Sequence, residues 1–379
     1  MLMNGFRFLF PVGVGLLLWA LGSCTSSFKG DEVIKLSHTY LLPDSSILGT
    51  PKLLLGDKMI LRQSHGNPVF EYCKLTGDSL IKLDEFASIG HGPDEFRFPD
   101  CYFSVENQKL YVGNWNKDKV YEVPLPQTER FSKTGKWVKV DIPQEANLTF
   151  SGSPKTWCVM DDSTFLVSGG ESSNIVGVKY SGYENFFSIV RHGRAEPLKE
   201  LSYPDSGRVD IPIFVKRLQA YSYVEVFKRP NENRYALVGT NPGHYFILFS
   251  ISDGTAVQVR TVLDEFTLYG LDDSGINCVF NSNQKEGFLC TQVTSRYIYM
   301  LESAFSTMDE MYTAKDYKGY PVHYSDRILK YDWEGNLQAL YELDVPIEEF
   351  IVSTDDSCLY ASCLDLENSQ EGIVRFVLP

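Results

Sequence analysis

Six copies of one short pattern set the limits on what this chain can fold into. Each copy is a polar turn followed by a strand that opens on a bulky apolar residue. The copies are Gly56–Leu61, Asn107–Val112, Asp162–Val167, Glu232–Leu237, Lys285–Cys290 and Asp356–Ala361. Their leading apolar residues, Met59, Leu110, Phe165, Tyr235, Phe288 and Leu359, fall 51 to 71 positions apart. A four-stranded propeller blade takes about 40–50 residues before insertions, so the spacing predicts one blade per copy.

Each copy is followed by a candidate third strand: Val69–Leu75, Lys119–Leu125, Asn174–Tyr180, Tyr245–Ile251, Arg327–Trp333 and Gly372–Leu378. Five have a candidate fourth: Leu80–Phe86, Lys136–Ile142, Phe186–His192, Val257–Leu263 and Leu337–Leu343. The sixth copy runs into Pro379 with no fourth strand, while Glu32–Leu42 is a spare strand near the other end. If the spare strand completes the last blade, no edge is left unpaired. The expected fold is therefore all-β, a six-bladed β-propeller over residues 32–379, its ring closed by the N-terminal strand. A sandwich of unrelated hairpins is the alternative, and it gives the spare strand no role. The aromatic fraction of 13% suits strands. The formal net charge of −14 argues against nucleic acid as a partner, because phosphate backbones reward basic patches.

The first residues read as a targeting segment. Arg7 is followed by an apolar run, Phe8 to Leu21, interrupted by Pro11, Gly13 and Gly15. The run is short for a membrane-spanning helix, which takes about 20 apolar residues. Leu21-Gly22-Ser23-Cys24 resembles a bacterial lipobox, which implies a signal peptide over 1–23, a lipidated Cys24 and a short linker over 24–31. Two or more acyl chains on such a cysteine hold a protein stably to a membrane. Thr25, in place of the aspartate that resembles an inner-membrane retention signal, points to the outer membrane. The lipid anchor is the only membrane contact expected.

Two further passages carry a resemblance. Ile89-Gly90-His91-Gly92-Pro93-Asp94-Glu95-Phe96 is similar to the G-x-G-P-(G/D)-E-F turn of TolB-like six-bladed propeller lipoproteins of Gram-negative bacteria. Lys330-Tyr331-Asp332-Trp333-Glu334-Gly335-Asn336 resembles a hairpin in the fifth blade of that family, and Asp355–Ser362 resembles part of its last blade. The resemblance implies fold and envelope location. It implies no activity, and it carries over no catalytic residue.

Chemical signatures are sparse. The six His are scattered and no H-E-x-x-H occurs, so neither a metal nor a cofactor is expected. No G-x-S-x-G occurs, and Asp332–Asn336 lacks calcium-loop spacing. Paired carboxylates for glycoside hydrolysis could come from Asp94, Glu95, Asp264, Glu265, Asp272 and Asp273, though any acidic chain offers such pairs. Of eight Cys, Cys278 and Cys290 would lie opposite each other if a hairpin turned about Gln284.

Tyrosines concentrate in Val293–Asp326, a long insertion in the fifth copy that holds Tyr297, Tyr299, Tyr312, Tyr317, Tyr320 and Tyr324. Thr307-Met308-Asp309-Glu310 reads as a capping box that opens a short helix there. Long loops in compact domains are usually functional or disordered, and aromatic content argues against disorder. In a propeller, second-to-third loops and connections between blades emerge on one face. That face should hold Ala87–Asp100, Arg191–Ala220, Asp264–Gly275 and the tyrosine insertion, together with Trp115 and His244. Insertions gather where a repeat scaffold binds its ligand. The candidate ligand residues are the six tyrosines, Trp115, His244, Asp94 and Glu95. A non-catalytic propeller that binds a glycan, a peptide or an envelope protein is expected, with a hydrolytic propeller as the alternative.

Overall fold

A computed structural model of the chain describes residues 33–43, 49–63, 66–92, 95–97, 99–104, 108–114, 120–126, 130–131, 137–140, 157–168, 187–199, 224–240, 243–265, 269–271, 278–366 and 370–379. Cys24, Asp94, Trp115, Asp272 and Asp273 lie outside these residues, as does the expected strand Asn174–Tyr180.

Among the described residues the chain is all-β apart from one short helix. It opens with β1 (Val33–Leu36), β2 (His38–Tyr40) and β3 (Leu42–Pro43). The first antiparallel sheet is β4 (Thr50–Leu55), β5 (Lys58–Arg62), β6 (Phe70–Thr76) and β7 (Ser79–Phe86). The second is β8 (Pro99–Ser104), β9 (Lys109–Asn114), β10 (Val120–Val123) and β11 (Val138–Lys139). The third is β12 (Trp157–Val159), β13 (Thr164–Ser168), β14 (Phe187–Arg191) and β15 (Arg194–Pro197). The fourth is β16 (Val224–Lys228), β17 (Tyr235–Gly239), β18 (His244–Ser252) and β19 (Thr255–Glu265). A separate hairpin pairs β20 (Tyr269–Leu271) with β21 (Cys278–Phe280).

The fifth and sixth sheets share a strand. β22 (Phe288–Val293), β23 (Tyr297–Glu302), helix α1 (Met308–Thr313) and β24 (Ser325–Asp332) lead into β25 (Leu337–Val352). β26 (Cys358–Asp365) and β27 (Gln370–Val377) follow. Residues 337–342 and Ile347 of β25 pair with β24, and Ile347 and residues 350–352 pair with β26. One strand of 16 residues is thus the fourth of the fifth sheet and the first of the sixth.

The N-terminal segment bonds to three sheets in eleven residues. β1 runs parallel to β25, with Val33 beside Leu340. β2 runs antiparallel to β27, with His38 opposite Phe376, and takes the fourth place in the sixth sheet. β3 runs parallel to β7, where the Leu42 N–H donates to the Asp78 carbonyl at 2.7 Å. The third sheet repeats the device: Lys199, just beyond β15, exchanges backbone hydrogen bonds with Gly254 and Ala256 of the fourth.

Among the described residues the core is six apolar clusters, each between two sheets. Ile60, Phe70, Phe96 and Leu110 lie between the first and second sheets. Tyr111, Val159 and Phe165 lie between the second and third. Leu166, Ile189, Leu237 and Tyr245 join the third and fourth. Phe246, Phe288, Ile298 and Trp333 join the fourth and fifth. Tyr299, Tyr341, Phe350 and Phe376 join the fifth and sixth. Met59, Leu61, Ile351 and Tyr360 lie between the sixth sheet and the first, with Leu41 of the N-terminal segment. Successive residues of one strand face opposite neighbours. Met59 and Leu61 of β5 turn toward the sixth sheet while Ile60 turns toward the second. Burial on both faces explains why the second strands are continuous apolar runs rather than alternating ones.

Two assignments from sequence change. Phe187–Arg191, expected as a fourth strand, pairs directly with β13 as the third, and β15 is the fourth. Consequently Arg191–Glu196 is a hairpin within the sheet and not a connection between sheets. Its central His192 and Gly193 have φ of 47° and 70°, the two positive angles that a tight hairpin of this hand requires. In the fifth sheet the copy at Lys285–Cys290 leads into the first strand, not the second. Both β22 and β23 follow a polar turn and open on an aromatic, so the pattern fits either; the hairpin at Thr294, where Thr294 Oγ1 accepts from the Tyr297 N–H at 3.0 Å, decides it. The hairpin about Gln284 that would oppose Cys278 and Cys290 is therefore not formed. Cys278 belongs to β21, which pairs with β20, while Cys290 is a free thiol facing the Phe350 carbonyl at 3.8 Å.

Candidate functional site

The loop ends of the fourth and fifth sheets bring several charged side chains together. His244 opens β18 and Glu302 closes β23; Lys285 and Glu286 precede β22; Arg327 lies near the start of β24. All five sit at the end where second-to-third loops and sheet-to-sheet connections emerge. Gly287 makes the approach possible. A Cβ there would lie 2.5 Å from the Gly239 carbonyl oxygen, so no larger residue fits between the two sheets.

Glu302 is the centre of this cluster. Its Oε1 lies 3.3 Å from His244 Nε2 and contacts Lys285 Nζ, while its Oε2 lies 3.3 Å from Arg327 Nη2. Burial alone would raise the Glu302 carboxyl, but the close approach of His244 and Lys285 and the charges of Lys285 and Arg327 pull it down to about 2. Glu302 therefore stays ionised at any physiological pH. The His244 ring is tilted against Phe288, with centroids 4.5 Å apart. Glu286 has the opposite fate: burial raises its carboxyl, a Ser303 hydrogen bond only partly offsets this, and its Oε2 has no partner.

An ionised Glu286 thus costs stability, and the cost fades as pH falls through its raised value. Glu286→Gln should raise the melting midpoint at pH 7.5 by about 2 °C, with a smaller gain at pH 4.5. Thermal unfolding at the two pH values checks this; a lowered midpoint at pH 7.5 would contradict it.

The tyrosine insertion starts later than expected, at Ser303, because Tyr297 and Tyr299 belong to β23. They lie toward the opposite end of the sheet, where the Lys330 ammonium sits 4.0 Å from the Tyr297 ring centroid and 5.7 Å from that of Tyr299. Tyr299 is buried and donates to Asp356 at 2.9 Å. These two tyrosines are removed from the candidate face. The remaining insertion is a folded strap. Thr307 caps α1 by accepting from the Glu310 N–H at 3.1 Å, and the Glu310 carboxylate accepts from the Ser306 N–H at 2.9 Å. The helix start is seated on the fourth-to-fifth connection: Met308 and Asp309 N–H donate to the carbonyls of Gln284 and Ser282 at 2.9 and 2.8 Å.

Beyond the helix, Tyr317 donates to Asp326 at 3.0 Å, and Lys318 pairs with the same carboxylate at 2.6 Å. Tyr320 packs against Tyr324, which is buried beside Glu348. Tyr312 alone among the strap tyrosines is largely exposed, at 62%. Glu95 is turned inward: its carboxylate accepts from the Gly92 N–H at 2.8 Å and buttresses the turn that sets Phe96 into the core. Asp264 and Glu265 lie on β19, where Glu265 pairs with His244.

No model of a protein family matches the chain. No curated protein matches it either. Among solved structures it is similar to the crystal structure of the Cps50 (Swd1) β-propeller domain of Myceliophteria thermophila, at 11% identity and a TM-score of 0.44, over 91% of this chain and 100% of that one. A likeness that distant assigns neither fold nor function, so both rest on the chain's own sheets and side chains.

Of the residues singled out from sequence, His244 and the strap tyrosines fall at the loop ends of the fourth and fifth sheets. Lys285, Glu286, Glu302 and Arg327 were not legible as site residues. Each lies at the end of an apolar strand, and only the packing of the fourth sheet on the fifth draws them together.

Proposed function

We propose that the chain is a lipid-anchored, non-catalytic binding protein of the cell envelope, its six sheets forming the blades of a closed propeller. The apolar clusters support closure, since each sheet shares one with its predecessor and the first shares one with the sixth. In this reading β2 is the last strand of the final blade, and β1 and β3 tie that blade to its neighbours. The lipobox-like residues ending in Cys24 and the TolB-like turn motifs agree with an envelope lipoprotein.

The strap over residues 303–324 is the observation that carries the binding reading. A loop of this length has a helix cap, a seat on the neighbouring connection and an exposed aromatic ring. Tyrosine offers a flat apolar face with a polar tip, which suits sugars and proteins alike. A glycan and peptide array probed with the chain should return a ligand. Replacing 304–322 by a short turn should abolish that binding while circular dichroism stays strand-rich. Undiminished binding without the strap would overturn the reading. For the anchor, Cys24→Ala should move the protein from the membrane to the soluble fraction; continued membrane association would refute lipidation.

A further inference from the structure

We propose that Lys285 and Arg327 form a subsite for the carboxylate of an acidic sugar, at the loop end between the fourth and fifth sheets. The proposal rests on the binding reading of that face and names the ligand class.

The argument is one of local charge. Glu302, only 6% exposed, faces two side chains that are cationic at neutral pH, Lys285 and Arg327. One negative charge against two positive leaves a surplus cation, in a chain whose formal net charge is −14. Among the described residues neither cation has a second carboxylate within ion-pair distance, nearby Glu286 included. His244, packed against the same carboxylate, adds no negative charge. An acidic surface repels anions in general, so a surplus cation fixed at one point gives an anionic ligand one place to bind.

The cations are also positioned to act. Their common anchor is buried, so it holds them without occupying the solvent side. Arg327 is 48% exposed, and its approach to Glu302 Oε2 is not an aligned hydrogen bond. Its donor fork is left for a second carboxylate, the geometry a guanidinium recognises best. Lys285 is 25% exposed and adds a point charge beside it. A sugar is favoured over an acidic peptide by α1. This helix is seated on Ser282 and Gln284, immediately before Lys285, and it carries the exposed Tyr312 ring. A flat ring on the helix seated beside Lys285, together with a pair of cations, suits a uronic acid, which has an apolar ring face and one carboxylate.

The test is calorimetric titration of the full chain in detergent with a short oligogalacturonate, its carboxyl-reduced neutral counterpart, and a poly-glutamate peptide. The oligogalacturonate should bind, the neutral oligomer should bind at least tenfold more weakly, and added salt should weaken the acid form alone. Lys285→Met and Arg327→Met should each lose about tenfold, with Arg327→Lys recovering part of it. Melting curves separate lost binding from lost fold, and Lys285→Met leaves the Arg327–Glu302 pair intact. Equal binding of the neutral oligomer, or unaffected Lys285 and Arg327 variants, would overturn the subsite while leaving a binding face in place. Equal binding of poly-glutamate would overturn the sugar assignment. No binding of the oligogalacturonate, with an array ligand still bound through the strap, would overturn the proposal alone. Loss of every ligand would take the binding reading with it.

Discussion

Deleting residues 33–43 should lower the melting midpoint by about 10 °C or more. The segment buries Leu36 and Leu41, at 6% and 2% exposure. Burying two leucines contributes about 3–6 kcal/mol, and a loss of that size shifts a large domain's midpoint by roughly this many degrees. The backbone adds to it, since β27 loses its outer partner and the Ile373 and Asp78 carbonyls lose the N–H groups of Leu41 and Leu42. A milder variant, Leu41→Asp, puts an unpaired charge into the cluster between the sixth and first sheets and should act in the same direction. Differential scanning calorimetry on both variants checks the expectation. Midpoints within a degree of the parent would mean that the segment merely lies on the surface of sheets stable without it.

Trp333→Ala should cost about 3–5 kcal/mol, the range for removing a fully buried large aromatic. Trp333 has no exposed surface and fills the cluster between the fourth and fifth sheets beside Phe246, Phe288 and Ile298. Its indole N–H donates to the Thr294 carbonyl at 2.9 Å, at the turn between β22 and β23. Its own carbonyl accepts from Arg234 of the fourth sheet at 2.9 Å. Trp333→Phe keeps most of the volume and loses only the indole hydrogen bond, so it should cost about 1–3 kcal/mol for the orphaned carbonyl. Urea denaturation of the pair separates packing from hydrogen bonding. Equal losses in the two variants would show that volume is not what Trp333 supplies.

The sequence made the second strands legible because both of their faces are buried. Met59-Ile60-Leu61, Leu110-Tyr111-Val112 and Phe165-Leu166-Val167 stand out as unbroken apolar triplets beside polar turns. Outer strands were harder, since one face meets solvent and β11 shrinks to two residues. The third sheet was misread because Asn174–Tyr180 and Phe187–Arg191 carry similar patterns, and only the pairing of Thr164 with Arg191 chooses between them. The capping box of α1 was legible because a cap is a local device, complete within Ser306 to Glu310. The charged cluster around Glu302 was not, because its members lie 58 residues apart from His244 to Glu302 and meet through tertiary packing alone.

The strand shared by the fifth and sixth sheets makes one mechanical body of two. Ile347 pairs with Ser325 of β24 on one side and Cys363 of β26 on the other, so the two registers meet at one residue, next to Pro346, and the strand changes partners without ending. A hinge at that point would have to break a strand that continues on both sides of it. Neither sheet can swing open by itself, and a local opening in one draws backbone pairing from the other. The strap, the Glu302 cluster and the N-terminal segment are all fastened to this stiff pair. The candidate ligand face is thus carried by the rigid part of the molecule, and a ligand would meet a preset surface rather than reshape it.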